Sequence, residues 1–169
     1  GDGNFNIDGN GSSLDFSNNV GNAFTGTMSL SNVLFNLAGL NSSTLVNTAL
    51  SLNAGSNTTV GGAGTSETET LKSLAMNGGI LNFTGEIPLS QAESIINTQN
   101  FTATGGTINV NGDTAWENTV PVVSPNLSIL EQNRGTSGMT LINADTASGA
   151  ANLTLTLNGE TPSQSTIIG

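Results

Sequence analysis

Read for its hydrophobic and polar positions, the chain repeats one short pattern, in which two or three apolar residues at alternate positions are spaced by Thr, Ser or Asn. Phe24, Gly26, Met28 and Leu30 make one such run; Val33, Phe35 and Leu37 make the next, followed by Leu50 and Leu52 and by the stretch Ile80 to Phe83. The habit returns at Phe101 and Ala103, at Ile108 and Val110, at Met139 and Leu141, and most cleanly in Asn152-Leu153-Thr154-Leu155-Thr156-Leu157-Asn158. A period of two belongs to a strand with one buried and one wet face. Thr and Ser suit the wet face. The pattern therefore predicts an all-β chain of short strands.

Turn signals separate the runs. Asn10-Gly11, Asn77-Gly78-Gly79, Asn111-Gly112 and Asn158-Gly159 are residue types that tolerate the positive φ of tight turns. Strands joined this regularly fit either an antiparallel sandwich or a solenoid of stacked coils. Three features favour the solenoid. Segments of similar texture (FTGTMSLSNVLFNLAG, TALSLNAGSNTTVGG, LAMNGGILNFTG, FTATGGTINVNG) recur at about 20 to 25 residues, the range of repeat architectures. Aromatic residues are only 4%, which suits a thin core of stacked aliphatic side chains. Abundant Asn can form amide ladders between successive coils. With about 22 residues per coil and about 4.8 Å per rung, the chain is expected to make roughly seven or eight coils and a rod of roughly 35 to 40 Å. The strand edges at its two ends would favour end-to-end association.

Two stretches depart from the pattern. In Glu86-Ile87-Pro88-Leu89-Ser90-Gln91-Ala92-Glu93-Ser94-Ile95-Ile96, the residues Leu89, Ala92, Ile95 and Ile96 stand at helical spacing behind an early Pro, which suggests a short decorating helix near 88–96, with a loop as the alternative. Thr114 to Pro125, with Trp116, Pro121 and Pro125, reads as an irregular excursion, because Pro cannot serve in the middle of a hydrogen-bonded ladder.

Composition narrows the chemistry. With 169 residues, the chain is long enough for one core and is expected to form a single body over 1–169. It has no Cys, no His and no Tyr, and only 8% charged residues, while 35% are hydrophobic, which favours a folded chain over a disordered one. The formal charge of −10 opposes phosphate backbones and anionic membrane surfaces, so no nucleic-acid partner is expected. Without Cys there are no disulfides or thiolate metal sites, and the redox compartment stays open. No window reaches the roughly 18 to 20 apolar residues of a helical membrane span. The opening GDGNFNIDGNG, without a basic and apolar leader, reads as a mature or excised segment.

Each candidate site has a simpler structural reading beside it. Asp2-Gly3-Asn4 and Asp8-Gly9-Asn10-Gly11-Ser12 have the oxygen-rich, glycine-bent character of calcium loops, but Asn19 stands where the EF-hand pattern needs an acid. Turns are the preferred reading, and no metal or cofactor is expected. Asp113 with Glu117, or Glu86 with Glu93, are the nearest carboxylate pairs for glycoside chemistry. Only Lys72 and Arg134 could assist them. Without His or Cys the usual nucleophilic triads cannot be built, which leaves a Ser-Lys pair at Lys72-Ser73 in an ordinary setting. No catalytic residue is assigned. Trp116, the single Trp, is the candidate surface-contact residue, with a buried loop anchor as the alternative. The sequons Asn41-Ser42-Ser43, Asn57-Thr58-Thr59 and Asn126-Leu127-Ser128 follow from the composition and carry little meaning.

The stretches FTGTMSLSNVLFNLAG, LSLNAGSNTTV, LKSLAMNGGILNFTG and MTLINADTASGAANLTLTLNG resemble the passenger regions of classical autotransporters, the type V secreted proteins of Gram-negative bacteria. The texture is closest to the adhesin and self-aggregation passengers related to pertactin and AIDA. It covers most of the chain and rests on repeat character, with no invariant motif. The resemblance implies a right-handed parallel β-helix, exported through the periplasm and displayed outside the cell by an outer-membrane β-barrel that is not in this chain. Cysteine-poor sequences are usual in that family. The GDSGS-type motif of its protease passengers does not occur here.

The function expected from this resemblance is that of a non-catalytic segment of a cell-surface adhesin, serving adhesion, aggregation or biofilm formation. Its partners would be copies of itself, met through strand edges or polar faces, or a host-matrix or cell-surface ligand, without membrane insertion by this segment. A spacer or autochaperone-like folding segment is the alternative. A polysaccharide-degrading β-helix is the third reading, and it requires a carboxylate cluster in a groove.

Overall fold

The computed structural model describes residues 2–15, 24–37, 44–61, 68–84, 95–111, 120–123, 129–132, 138–140 and 142–158. Strands dominate them. In chain order they are β1 (Asp2–Asp8), β2 (Ser13–Asp15), β3 (Thr25–Ser31), β4 (Leu34–Asn36), β5 (Asn47–Asn53) and β6 (Asn57–Val60), then the long β7 (Thr68–Thr84) and β8 (Ile95–Asn111). The short β9 (Val120–Val123), β10 (Ile129–Gln132) and β11 (Gly138–Thr140) precede β12 (Ile142–Ser148) and β13 (Leu153–Asn158), which a single 3-10 turn over Ala150–Asn152 connects.

The strands stack as a parallel β-solenoid. One ladder runs β1, β3, β5, the first part of β7, the first part of β8, then β12. A second runs β2, β4, β6, the latter part of β7, the latter part of β8, then β13. Each coil thus contributes one rung to both ladders, giving six rungs: β1 with β2, β3 with β4, β5 with β6, β7, β8, and β12 with β13. At about 4.8 Å per step the first and last rungs lie about 24 Å apart.

The alternation seen in the sequence becomes columns of like residues. Phe5, Met28, Leu50, Leu74, Phe101 and Ala147 stand above one another in the first ladder, beside Ile7, Leu30, Leu52, Met76 and Ala103. In the second ladder Leu14, Phe35, Thr58, Leu81, Ile108 and Leu155 form the matching column. Met28, Leu30, Leu50, Leu52, Leu74, Met76, Phe35 and Leu81 are buried and belong to one continuous apolar cluster. Burying a side chain of this size contributes about 1.5 to 3 kcal/mol, and the parallel register places such side chains in rungs two to five.

The register intervals show why the repeat looks loose. Asp2 pairs Thr25, an interval of 23, and Thr25 pairs Asn47, an interval of 22. Ala49 pairs Ser73 after 24 residues and Ser73 pairs Asn100 after 27, but Asn100 pairs Thr146 only after 46. The last interval contains β9, β10 and β11, a separate three-stranded antiparallel sheet in the order β11-β10-β9. An even division into coils of about 22 residues does not allow for this sheet, so fewer rungs form than that spacing predicts.

Three sequence expectations change. Ile95 and Ile96 open strand β8, with Ile96 wholly buried, so they do not continue a helix; 88–94 lie outside the described residues. Pro121 is part of β9, at the edge of the antiparallel sheet, where a missing N–H is tolerated. Ile80 is only half-buried, because Gly79, Leu81 and Phe83 take the inward positions after the corner at Gly78.

Candidate functional surfaces

The corner between the two ladders is tight in every coil. Two to four residues turn the chain there, and positive φ recurs from rung to rung: Asn10 (46°) with Gly11 (84°), Asn32 (49°), Gly55 (76°), Gly78 (98°), Gly106 (133°) and Gly149 (76°). At some of the stacked corners there is no room for a side chain. A Cβ on Gly149 would run into the Ala103 carbonyl oxygen, and one on Gly106 would lie 2.7 Å from the Gly79 carbonyl oxygen. Asp8 fastens the first corner: its Oδ1 accepts from the Asn10 backbone N–H at 3.4 Å and from Asn32 Nδ2 at 3.1 Å. The oxygen-rich opening stretch is thus an extended strand and a hydrogen-bonded turn. Among the described residues, no group of three or more His, Cys, Asp or Glu could hold a metal ion.

The outer faces carry the expected amide ladders. Asn53 Nδ2 donates to Ser29 Oγ at 2.8 Å and Ser31 Oγ at 3.3 Å, Asn77 Nδ2 donates to Ser51 Oγ at 3.0 Å and Asn53 Oδ1 at 3.4 Å, and Thr104 Oγ1 donates to Asn77 Oδ1 at 3.0 Å. On the second ladder Asn109 Nδ2 donates to Asn82 Oδ1 at 2.9 Å, and Asn82 Nδ2 to Asn57 Oδ1 at 2.5 Å. Neutral hydrogen bonds of this kind contribute about 1 kcal/mol each. They link rungs two to five by side chains as well as by backbone.

A second bend lies upstream of the first ladder. In β7, Glu69 and Leu71 are buried, Lys72 and Ser73 both point away from the core, and the inward alternation resumes at Leu74. The same break occurs at Gln99 and Asn100 in β8 and at Asp145 and Thr146 in β12, and the pairing skips Lys72, Gln99 and Asp145 in register. Rung three turns at the same place, with Val46 and Asn47 exposed inside a turn closed by Thr48 N–H to Leu45 O at 2.8 Å. Two adjacent outward residues flanked by buried ones mean that the chain rounds its core. The residues before the bend, Thr68–Leu71, Ile95–Thr98 and Ile142–Ala144, form a short third side.

Two grooves cross these faces. One, of about 370 Å³, runs over the second ladder past Ser13, Leu34, Asn36, Asn57 and Thr59, with Leu34 47% exposed. The other, of about 270 Å³, lies along the short third side and is lined by Thr70, Asn97, Gln99, Asn143 and Asp145 with Val46. In it Asn143 Nδ2 donates to Asn97 Oδ1 at 3.2 Å. At the first rung, Phe5 is 52% exposed and its ring centroid sits 5.0 Å from that of Phe24.

Several residues singled out by sequence lie outside the described region: Glu86, Glu93, Asp113, Trp116, Glu117 and Arg134. Lys72 is exposed at the bend and Ser73 half-buried beside it, so the lysine lacks the desolvated setting that nucleophile activation needs. Sequence reading passed over Glu69, a buried acid in register with Ile96 and Ile142. It also passed over the column at the bend. The only signal for that column was a doubled polar position in Lys72-Ser73 and Gln99-Asn100. No helix among the described residues is long and apolar enough to cross a membrane. Compared with protein-family models, curated proteins and solved structures, the chain matches none.

Proposed function

We propose that this chain is a non-catalytic segment of a surface-displayed adhesin of the autotransporter-passenger kind, whose coil presents contact surfaces for adhesion, aggregation or biofilm growth. The observation that carries this reading is the asymmetry of the coil. The corner between the ladders keeps two to four residues in every rung. Between the second ladder and the next rung's first ladder the intervals in sequence vary more: 16–24, 37–46, 61–67, 85–94 and 112–141, the last containing the sheet of β9, β10 and β11. In solenoids, insertions between repeats map to one face, which is often the binding face. The outer ladders of Asn, Ser and Thr add a neutral surface rich in donors and acceptors, which can meet copies of itself or another polar polymer.

The test is a settling and biofilm assay on bacteria displaying the parent protein with and without residues 1–169, with surface level checked by antibody. Loss of settling at unchanged display is the expected result. Unchanged settling would overturn the adhesion reading and leave the segment as a spacer. Loss of display itself would point to the folding-segment role.

A further inference from the structure

The groove on the short third side has the chemistry of a saccharide subsite, and we infer that it binds a neutral polysaccharide chain laid across rungs four to six. Thr70, Asn97 and Asn143 stand in one column, with Gln99 and Asp145 at the bend beside it. Asn143 Nδ2 donates to Asn97 Oδ1 at 3.2 Å, and both amides line the groove. Gln99 adds a second amide, Thr70 a hydroxyl and Asp145 a carboxylate. Together they offer donors and acceptors at one-rung spacing. A sugar presents the same alternation: a carboxylate accepts from two neighbouring hydroxyls, while amides serve both a hydroxyl and a ring or bridging oxygen. Val46, 38% exposed at the groove wall, provides an apolar surface for the C–H face of a ring.

Other ligand classes fit less well. Asp145 and the formal charge of −10 oppose anionic polymers. One carboxylate among amides is too few hard ligands for a cation. The groove lining contains no aromatic ring for a nucleobase to stack on. An added peptide strand would need free backbone groups; β8, in the middle of the groove, is paired to β7 on one side and to β12 and β13 on the other, so a strand could join only at an outer edge and not along the groove. The groove is shallow and wet, so a single chain is expected to bind with a dissociation constant on the order of 1 mM, and many copies on one surface would raise the effective affinity.

This inference rests on the adhesion reading for its biological use but is tested separately. The chain of 169 residues is run in native gels cast with dextran, mannan or xyloglucan, and with anionic alginate as the contrasting polymer. At least one neutral polysaccharide should retard it in a concentration-dependent way, with alginate giving no retardation. Gln99→Ala combined with Asp145→Ala should weaken the retardation at least tenfold, and Gln99→Glu should weaken it while keeping the groove's size. Both positions are exposed, so melting temperatures should stay near that of the parent. Absence of retardation by all three neutral polymers, equal retardation by alginate, or retardation unchanged in both variants overturns the inference. If settling depends on residues 1–169 but no gel retards the chain, the saccharide site falls and the adhesion reading stands. Retardation without any effect on settling would keep the saccharide site and remove the adhesion reading.

Discussion

The two sides of each coil follow opposite rules. At the corner between the ladders, chain length varies only from two to four residues and backbone conformation is demanding: left-handed residues repeat from Asn10 to Gly149, and a Cβ at Gly106 or Gly149 would meet a neighbouring turn's carbonyl. From the second ladder to the next rung's first ladder the interval in sequence ranges from 61–67 to 112–141, and the parallel register resumes after each. The tight corner specifies the stack. The far side is free to vary because the ladders re-form after it whatever its length, at a closure cost that grows only slowly with loop size.

The sharpest way to break this comparison is to make the same insertion on both sides. Six Gly/Ser residues placed between Ala54 and Gly55 should prevent rungs three and four from stacking, with loss of cooperative melting. The same six residues placed between 63 and 64 should lower stability by less than about 1 kcal/mol. Equal effects in circular-dichroism melts would refute the distinction. Next in size is Gly149→Ala, which forces a side chain into left-handed backbone and against the Ala103 carbonyl, and should cost about 3 kcal/mol by denaturant titration.

Smaller effects sharpen the picture of the faces. Asn77→Ala removes donors to Ser51 and Asn53 and the acceptor for Thr104, and should cost about 1 to 2 kcal/mol, more than Asn10→Gly at the first corner, which should cost a few tenths. Thr58→Val works in the opposite direction. The Thr58 hydroxyl is buried in the column between Phe35 and Leu81 without a hydrogen-bond partner among the described residues, so replacing it with a methyl should raise stability by about 1 kcal/mol. A lower melting temperature for this variant would mean that the hydroxyl has a partner after all.

The strands and the stack were legible because both rest on local signals. Alternation in Met28-Ser29-Leu30 or Leu50-Ser51-Leu52 needs no knowledge of the partner strand, and Asn-Gly pairs mark corners by their own backbone freedom. The amide ladders were foreseen from composition, although which Asn meets which Ser depends on intervals of 22 to 27 residues that no local signal sets. The bend was missed because Lys72-Ser73 and Gln99-Asn100 look like ordinary polar pairs until their rungs are aligned. Glu69 was missed because an acid between two threonines reads as exposed. The antiparallel sheet was hidden because Pro121 argues against a strand everywhere except at an edge. Of the candidate site, the residue types were visible, but their convergence across β7, β8 and β12 was not.

The amide ladders have a further consequence, for the conditions this coil can endure. Asn, Ser and Thr neither gain nor lose protons across the ordinary range of acidity, and hydrogen bonds between uncharged groups are not weakened by dissolved ions as charge pairs are. The contacts made by these groups therefore do not depend on acidity or salinity, in contrast to those that the Asp8 carboxylate makes at the first corner. While the coil is folded, Asn53, Asn77 and Thr104 keep the same protonation and the same partners whatever the acidity around them.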